Sequence, residues 1–228
     1  MKRIVKEPMV RRNEILDVVE RLVSTKGYEQ MAIQDIMDEL QIAKGTVYHY
    51  FDSKAALLEA LVERMGDQIE QLVLPIVHDP KPGALDKLLR YFAAIDHLKL
   101  AHQRLMIEFL HVWYDDENAI VHRKLYRAGV KRFSPWLAQI IQQGVGEGVF
   151  TTAYPDQAAR MIITLRYDLG DAIAELLLAE ERALPVVPRI AQIAEATVDA
   201  LERVLGAKSG CLQDAWREAL SQWQLSPI

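Results

Sequence analysis

A single cysteine, Cys211, stands among 228 residues. One thiol excludes an internal disulfide framework and any multi-cysteine metal site, and it fits a reducing, cytoplasmic compartment. Long apolar runs are also missing. None approaches the ~20 residues that cross a bilayer, so no membrane contact is expected. The basic start MKRIVKEPMVRR is not followed by the apolar stretch of a secretory leader. Catalytic signatures are absent too: no nucleophile elbow, no Walker sequence and no His/Cys metal spacing. The six histidines are scattered. No catalytic residue, metal or cofactor is therefore expected. Glu108–His111, EFLH, has the Glu-x-x-His spacing of carboxylate-bridged metal sites, but such sites need a second copy.

Surplus positive charge is the last thing lacking. The formal net charge is −5, which argues against a generally sticky nucleic-acid binder but permits a local one. Residues 1–54 carry nine Lys/Arg and nine Asp/Glu, and five of those bases (Lys2, Arg3, Lys6, Arg11, Arg12) fall in the first twelve positions. The whole negative balance therefore lies behind residue 54. This is the sign expected if only the front end meets phosphate.

What is present reads almost entirely as helix, and no sustained period-2 alternation appears. A first helix is expected over Val10–Thr25, with Ile15, Val18, Val19, Leu22 and Val23 on one face and Gly27 as its C-cap. Short helices follow at Ile33–Leu40 and Lys44–Phe51. A longer one starts behind the cap Ser53 and runs to about Val73. HDPKPG (His78–Gly83) is the clearest break. Helices are then expected over Ala84–Trp113, Ala119–Gly144 (broken before Pro135), Asp156–Glu180 and Pro188–Leu205. A last amphipathic stripe joins Leu212, Trp216, Ala219/Leu220 and Trp223.

The three short front helices, the second pair separated by Gln41-Ile42-Ala43, make a helix-turn-helix pattern. Ile36, Leu40, Ile42, Val47 and Phe51 would form its small core. Lys44, Gly45, Thr46, Tyr48, His49 and Tyr50 would remain outside. Lys44 can donate to guanine or phosphate, Gly45 allows close backbone approach, and the hydroxyls can bond bases or phosphates. Lys54 opens the next helix, where free backbone N–H groups also favour an anion.

The run KGTVYHYFDSKAALL, with STKGYEQMAIQDI upstream, closely resembles the signature of the TetR family of bacterial transcription regulators. The resemblance covers residues 10–60 strongly, and the rest only as an all-helical layout of the right length. It implies an all-α protein with an N-terminal DNA-binding domain, residues 1–52. It also implies a helical-bundle domain, residues 53–228, that binds a small-molecule effector and dimerises. Carried over by position, Lys44, Gly45 and Tyr48 would face bases of double-stranded operator DNA. Thr46, His49, Tyr50 and Lys54 would hold its backbone, and Gln34 would reach a base. The regulator so implied is a homodimeric repressor.

Four positions depart from the family pattern. Gln41 replaces a glycine, and a left-handed backbone there would cost about 1 kcal/mol. Ala43 replaces a capping serine, a loss of roughly 0.5–2 kcal/mol. Ala32 replaces the cap of the second helix, although Asp35 three residues on favours that N-terminus. Ala55 replaces an acid. A second reading draws on these departures: a helical module that binds a small molecule or a protein and no longer reads DNA.

Behind residue 83, helix Ala84–Trp113 read at 100° per residue puts Leu88, Phe92, Ile95, Met106, Phe109 and Trp113 on one face. Lys99 and His102 fall on that face, where two basic groups would orient a ligand carrying a carboxylate or another acceptor. Helix Asp156–Glu180 carries two apolar arcs, one of them Ile163, Tyr167, Gly170, Ala174 and Leu178. Helix Pro188–Leu205 carries Ile193, Ala196 and Ala200 on its second line. Two consecutive, doubly apolar helices predict a four-helix dimer seam, and the family resemblance implies the same pair. Arg166 lies between the arcs and needs a partner, either Asp168 or Asp171 of a mate or a ligand.

Overall fold

A computed structural model of the chain describes residues 7–113, 119–178 and 186–213. Every regular element among them is a helix: α1 Pro8–Lys26, α2 Ile33–Leu40, α3 Lys44–Tyr50, α4 Lys54–His78, α5 Ala84–Ala101, α6 Gln103–Trp113, α7 Ala119–Gly146, α8 Pro155–Leu178 and α9 Val186–Leu205. The all-α expectation holds. Lys2, Arg3, Lys6, the side chain of Trp113, and the stripe Trp216, Ala219, Leu220 and Trp223 lie outside the described residues.

The chain forms two compact units. The first combines Met1–Gln68 with His102–Leu125, so it holds α1–α3, the start of α4, and α6. Its core is Ile15, Leu16, Val19, Val23, Met31, Ile36, Val47, Phe51, Leu57 and Leu61, with Leu105, Phe109 and Val112 from α6. Two polar ties accompany this packing. Arg64 of α4 reaches Asp17 and Glu20 of α1, and Glu20 also takes His102 at 3.0 Å. From α6, Glu108 accepts the Tyr28 backbone N–H at 3.2 Å. The lone Glu-x-x-His motif thus spends its carboxylate on a turn.

The second unit holds Ile69–Ala101 and Tyr126–Ile228. Its interior is built from Val73, Leu88, Tyr91, Phe133, Leu137, Ile141, Phe150, Ile162, Ala194 and Leu201. Glu70 of α4 accepts from both Arg132 and Trp136 of α7. Buried Lys87 donates to the Val77 carbonyl at 2.9 Å, closing the HDPKPG turn. At the far end, Gly206 takes a left-handed φ of 60° after α9. The chain then folds back so that Gly210 and Leu212 donate to buried Glu202, each at 2.8 Å.

Two expectations need correction. The helix foreseen over Ala84–Trp113 is interrupted at His102. No Pro or Gly marks the break, and it coincides with α6 packing on α1. Lys99 and His102 therefore do not share one continuous face: Lys99 belongs to the second unit and His102 to the first. Conversely, α7 runs through Pro135 without the expected break. A helical proline strips the donor from the carbonyl four residues back. Here that residue, Lys131, is exposed, as is Pro135, so water can satisfy the carbonyl.

Arg166 finds its partner inside the chain. It is paired with Asp96 of α5 and lies 5.0 Å over the Phe92 ring, so a mate's Asp168 or Asp171 is not what neutralises it. Lys99, one turn beyond Asp96, is pulled below the ordinary lysine range, chiefly by burial and then by the Arg166 charge. Such a group destabilises the fold in its charged form. The penalty is complete below the lowered pKa and fades as pH rises from there to the unfolded value of 10.5. Replacing Lys99 with methionine is expected to raise Tm at neutral pH, by a margin that shrinks toward that upper limit. A thermal-melt series showing no gain at neutral pH would contradict this.

Candidate nucleic-acid interface

Short α3 is held by its inward residues. Val47 is fully buried and Phe51 nearly so, against Ile36 of α2. At 100° per residue, Lys44, Gly45, Tyr48 and His49 then share the opposite arc, and all four are exposed. Thr46 and Tyr50 sit half-buried at its edges. The side chains cluster in pairs: Lys44 Nζ lies 5.6 Å from the Tyr48 ring centre, and His49 meets Tyr50 edge-on at 5.0 Å. Among the described residues no carboxylate pairs with Lys44, whereas three other bases of the unit are engaged. Lys26 holds Asp35 at 2.7 Å, Arg21 holds Glu39, and Arg11 holds Glu14 at 2.9 Å. Lys44 is thus a free cation beside hydroxyls and an open backbone, on a face the core does not use.

The turn leading into this helix is intact despite its unusual residues. Gln41 adopts φ 52° and ψ 46°, the left-handed conformation expected of the glycine it replaces. Its own N–H and that of Ile42 both donate to the Met37 carbonyl, closing α2. The Gln41 amide also donates to the Asp38 carbonyl, a bond glycine could not make. That bond offsets part of the backbone strain. Ala43 gives α3 no side-chain cap. At Ala32 the backbone N–H donates to Asp35 at 2.7 Å. The Lys26 ion pair and this hydrogen bond hold the Asp35 carboxyl below its usual range.

Two expected contact residues are already engaged. Gln34, exposed on α2, donates to Asp38 at 2.7 Å. Lys54 donates to the Glu29 carbonyl at 3.0 Å and lies 4.4 Å over the Tyr28 ring. Sequence reasoning missed Tyr28 and Arg12, the latter 5.2 Å over Phe51. The pairing of an aromatic with a base far along the chain leaves no local spacing to read.

Gly45 is the most diagnostic position. An added Cβ there would meet nothing within 4 Å, so the fold itself does not require glycine. Gly45→Ala should leave stability unchanged or raise it by up to about 1 kcal/mol through helix propensity. If a DNA backbone approaches closely, the same change should weaken operator binding. A fluorescence titration showing equal or tighter binding would remove that role from Gly45.

The ligand and seam expectations separate under the same scrutiny. Lys99 and Arg166 lie in the second unit, while His102, Met106, Phe109 and Trp113 lie in the first. Phe109 is core, 1% exposed. Ile163 and Ala174 are buried within their own chain, so they are not available to a mate. Tyr167 is half-buried, with its hydroxyl against Gly129. Gly170 and Ala196 are exposed, and Ile193 and Ala200 half-buried. No described helix is long and apolar enough to cross a membrane.

A family model described as "Bacterial regulatory proteins, tetR family" matches residues 15–61. A second, "Tetracyclin repressor-like, C-terminal domain", matches residues 108–172. The HTH-type transcriptional repressor KstR2 of Mycolicibacterium smegmatis is 24% identical over 151 residues, covering 63% of this chain and 69% of that protein. The uncharacterized HTH-type transcriptional regulator YfiR of Bacillus subtilis is 24% identical over 180 residues, covering 76% of this chain and 83% of its own. A crystal structure of a TetR-family transcriptional regulator from Pectobacterium atrosepticum superposes with a TM-score of 0.64 at 20% identity, over 88% of this chain and 98% of that one. At that identity the superposition speaks for the fold, and the two family models carry the assignment, one over residues 15–61 and the other over residues 108–172. With its helix-turn-helix formed and the outer arc of α3 open, the chain belongs to the TetR family of bacterial DNA-binding transcriptional regulators.

Proposed function

We propose that this regulator is a homodimeric, non-enzymatic repressor in the cytoplasm, released from operator DNA by a small molecule. Residues 1–52 serve as the DNA-binding domain and 53–228 as the effector-binding and dimerisation domain. The observation that carries the reading is the exposed arc of α3. Lys44, Gly45 and Tyr48 face base edges in the major groove, while Thr46, His49 and Tyr50 secure the flanking phosphates. Lys54 and Gln34 join them by exchanging their present bonds for DNA. The dimer brings two such helices about 34–36 Å apart, one turn of duplex.

The seam uses α8 and α9, through Gly170, Tyr167, Ile193, Ala196 and Ala200. Ile163 and Ala174 leave that set because their own chain covers them. Exposed Met161, at 55%, supports including it instead. The effector binds within the helical domain at Lys99 and Arg166. It lowers operator affinity by favouring the protein state that fits DNA poorly, since equal affinity for both states would shift nothing.

Selection from random duplexes with the full-length protein tests this. The expected product is a palindrome whose half-sites are centred about 10 base pairs, or a multiple, apart. It should be bound by a species of dimer mass, with affinity falling linearly in log salt. Recovery of no sequence, or binding by a monomer, would sink the proposal.

A further inference from the structure

Helix α2 carries three acids in a protein that must approach a polyanion, and two of them are neutralised from α1. Asp35 holds Lys26, and Glu39 holds Arg21. Asp38 is the third. It is exposed, and among the described residues no base pairs with it. Its carboxylate instead takes Gln34 Nε2 at 2.7 Å, one turn back along α2. Both residues lie on the side of α2 away from buried Ile36. The Asp38 carbonyl is held as well, by the side-chain amide of Gln41 in the turn. Gln41 stands three residues before Lys44, a separation of at most about 11 Å. The pair is therefore tied to the N-terminal end of α3, and that end of a recognition helix meets base edges.

We propose that Asp38 is a positioning residue that makes Gln34 read adenine. The inference rests on the DNA-binding reading given above and refines it. The bonds that Gln34 exchanges for DNA are those of its outer atoms with water, and its bond to Asp38 stays.

The choice of base follows from donors and acceptors. An ionised carboxylate only accepts, so the NH2 end of Gln34 must face Asp38. Turning the amide over would set its oxygen against the carboxylate. One of the two N–H donors is thus consumed. What Gln34 presents outward is one N–H and one carbonyl oxygen, side by side. In the major groove only adenine offers the complement on a single base, N7 to accept and the N6 amino group to donate. Guanine offers two acceptors, N7 and O6, and would need both amide hydrogens. A carboxylate near phosphates also opposes binding in general. Asp38 thereby lowers affinity for any duplex while sharpening the choice of base.

The test uses full-length protein and fluorescence anisotropy. Binding is measured to the selected operator and to variants carrying each base in turn at every half-site position. One position should prefer adenine over guanine by about tenfold or more, and Gln34→Ala should abolish that preference. Asp38→Ala should bring the same ratio to about one, because both amide hydrogens become free for guanine. Its binding to non-operator duplex should strengthen, since a negative charge is gone. Lost discrimination together with stronger general binding cannot arise from misfolding. Asp38→Asn keeps an oxygen that accepts from Gln34, so it should retain the larger part of the preference. An adenine analogue lacking N7, placed at that position, should weaken wild type about tenfold and leave Gln34→Ala unaffected. The proposal is overturned if Asp38→Ala keeps the preference, if Asp38→Asn loses it as fully as alanine does, or if Gln34→Ala changes no base preference. Selection of no operator removes the regulator reading and this inference with it. A selected operator whose base preferences are unaltered in Asp38→Ala removes the inference alone.

Discussion

Glu202→Ala should destabilise the protein by about 3 kcal/mol, because it leaves one buried and one part-buried amide without their charged acceptor. Glu202 is only 2% exposed, and its two oxygens take the N–H groups of Gly210 and Leu212, both at 2.8 Å. Around it the end of α9 is fastened in layers. Ala207 donates to the Glu202 carbonyl at 2.9 Å, and the amides of Thr151 and Thr152 both reach the Leu205 carbonyl. Among the described residues the carboxylate is the side-chain acceptor that draws the returning turn onto α9, where Leu212 is 5% exposed. For a chain of this size the loss corresponds to a Tm lower by roughly 6–12 °C. Glu202→Gln keeps one acceptor oxygen and turns an NH2 group toward the second amide, so it should fall between wild type and alanine. Cys211 offers a second readout. Burial raises its thiol pKa, and Glu202 adds to that. Removing the charge should therefore speed alkylation by iodoacetamide at neutral pH. Melting within a degree of wild type for Glu202→Ala would show that the turn is held by other means.

Lys44→Ala combined with Tyr48→Phe should weaken binding to the selected operator by about 100-fold, from base or phosphate contacts worth about 1–3 kcal/mol each. The loss should be less than the product of the single effects, because the ammonium and the ring already touch in the free protein. Lys44→Ala alone should reduce the slope of log affinity against log salt by about one if it meets a phosphate. Both positions are exposed, so stability should stay within about 0.5 kcal/mol of wild type. That separation matters: a variant that folds normally and cannot bind isolates recognition from folding. Unchanged operator affinity would take recognition away from this arc of α3.

The front of the chain was legible in its sequence because its determinants are local. The Val47–Phe51 spacing fixes which way α3 faces, Gly27 ends α1, and Ser53 accepts the Ala56 N–H to open α4 at 3.0 Å. Gln41 was legible only in part. Its left-handed backbone could be foreseen from its place in the turn, whereas the bond from its side chain to Asp38 depends on a rotamer that no pattern encodes. The back of the chain was harder for a different reason. Angular reading assumes a straight, continuous helix, and the interruption at His102 carries no proline or glycine to announce it. Two apolar arcs on α8 mark burial on both sides, but burial by the protomer and burial by a mate look alike in a pattern. Ile163 and Ala174 proved to be of the first kind. Arg166 was rightly singled out as needing a partner, yet Asp96 lies seventy positions away, beyond the reach of any spacing rule.

The discontinuous make-up of the first unit has a practical consequence for transplanting its DNA-reading head. A graft cut at residue 68 would carry α1 to α3 intact in sequence and still arrive incomplete. It would lack Leu105, Phe109 and Val112, the acceptor for the Tyr28 N–H, and the imidazole that shares Glu20 with Arg64. A chimaera that keeps the recipient's own α6 would have to supply a matching carboxylate and three apolar side chains at those places. The portable module is therefore residues 1–68 together with 102–125, and swaps confined to the helix-turn-helix should yield poorly soluble hybrids unless that second segment travels with it.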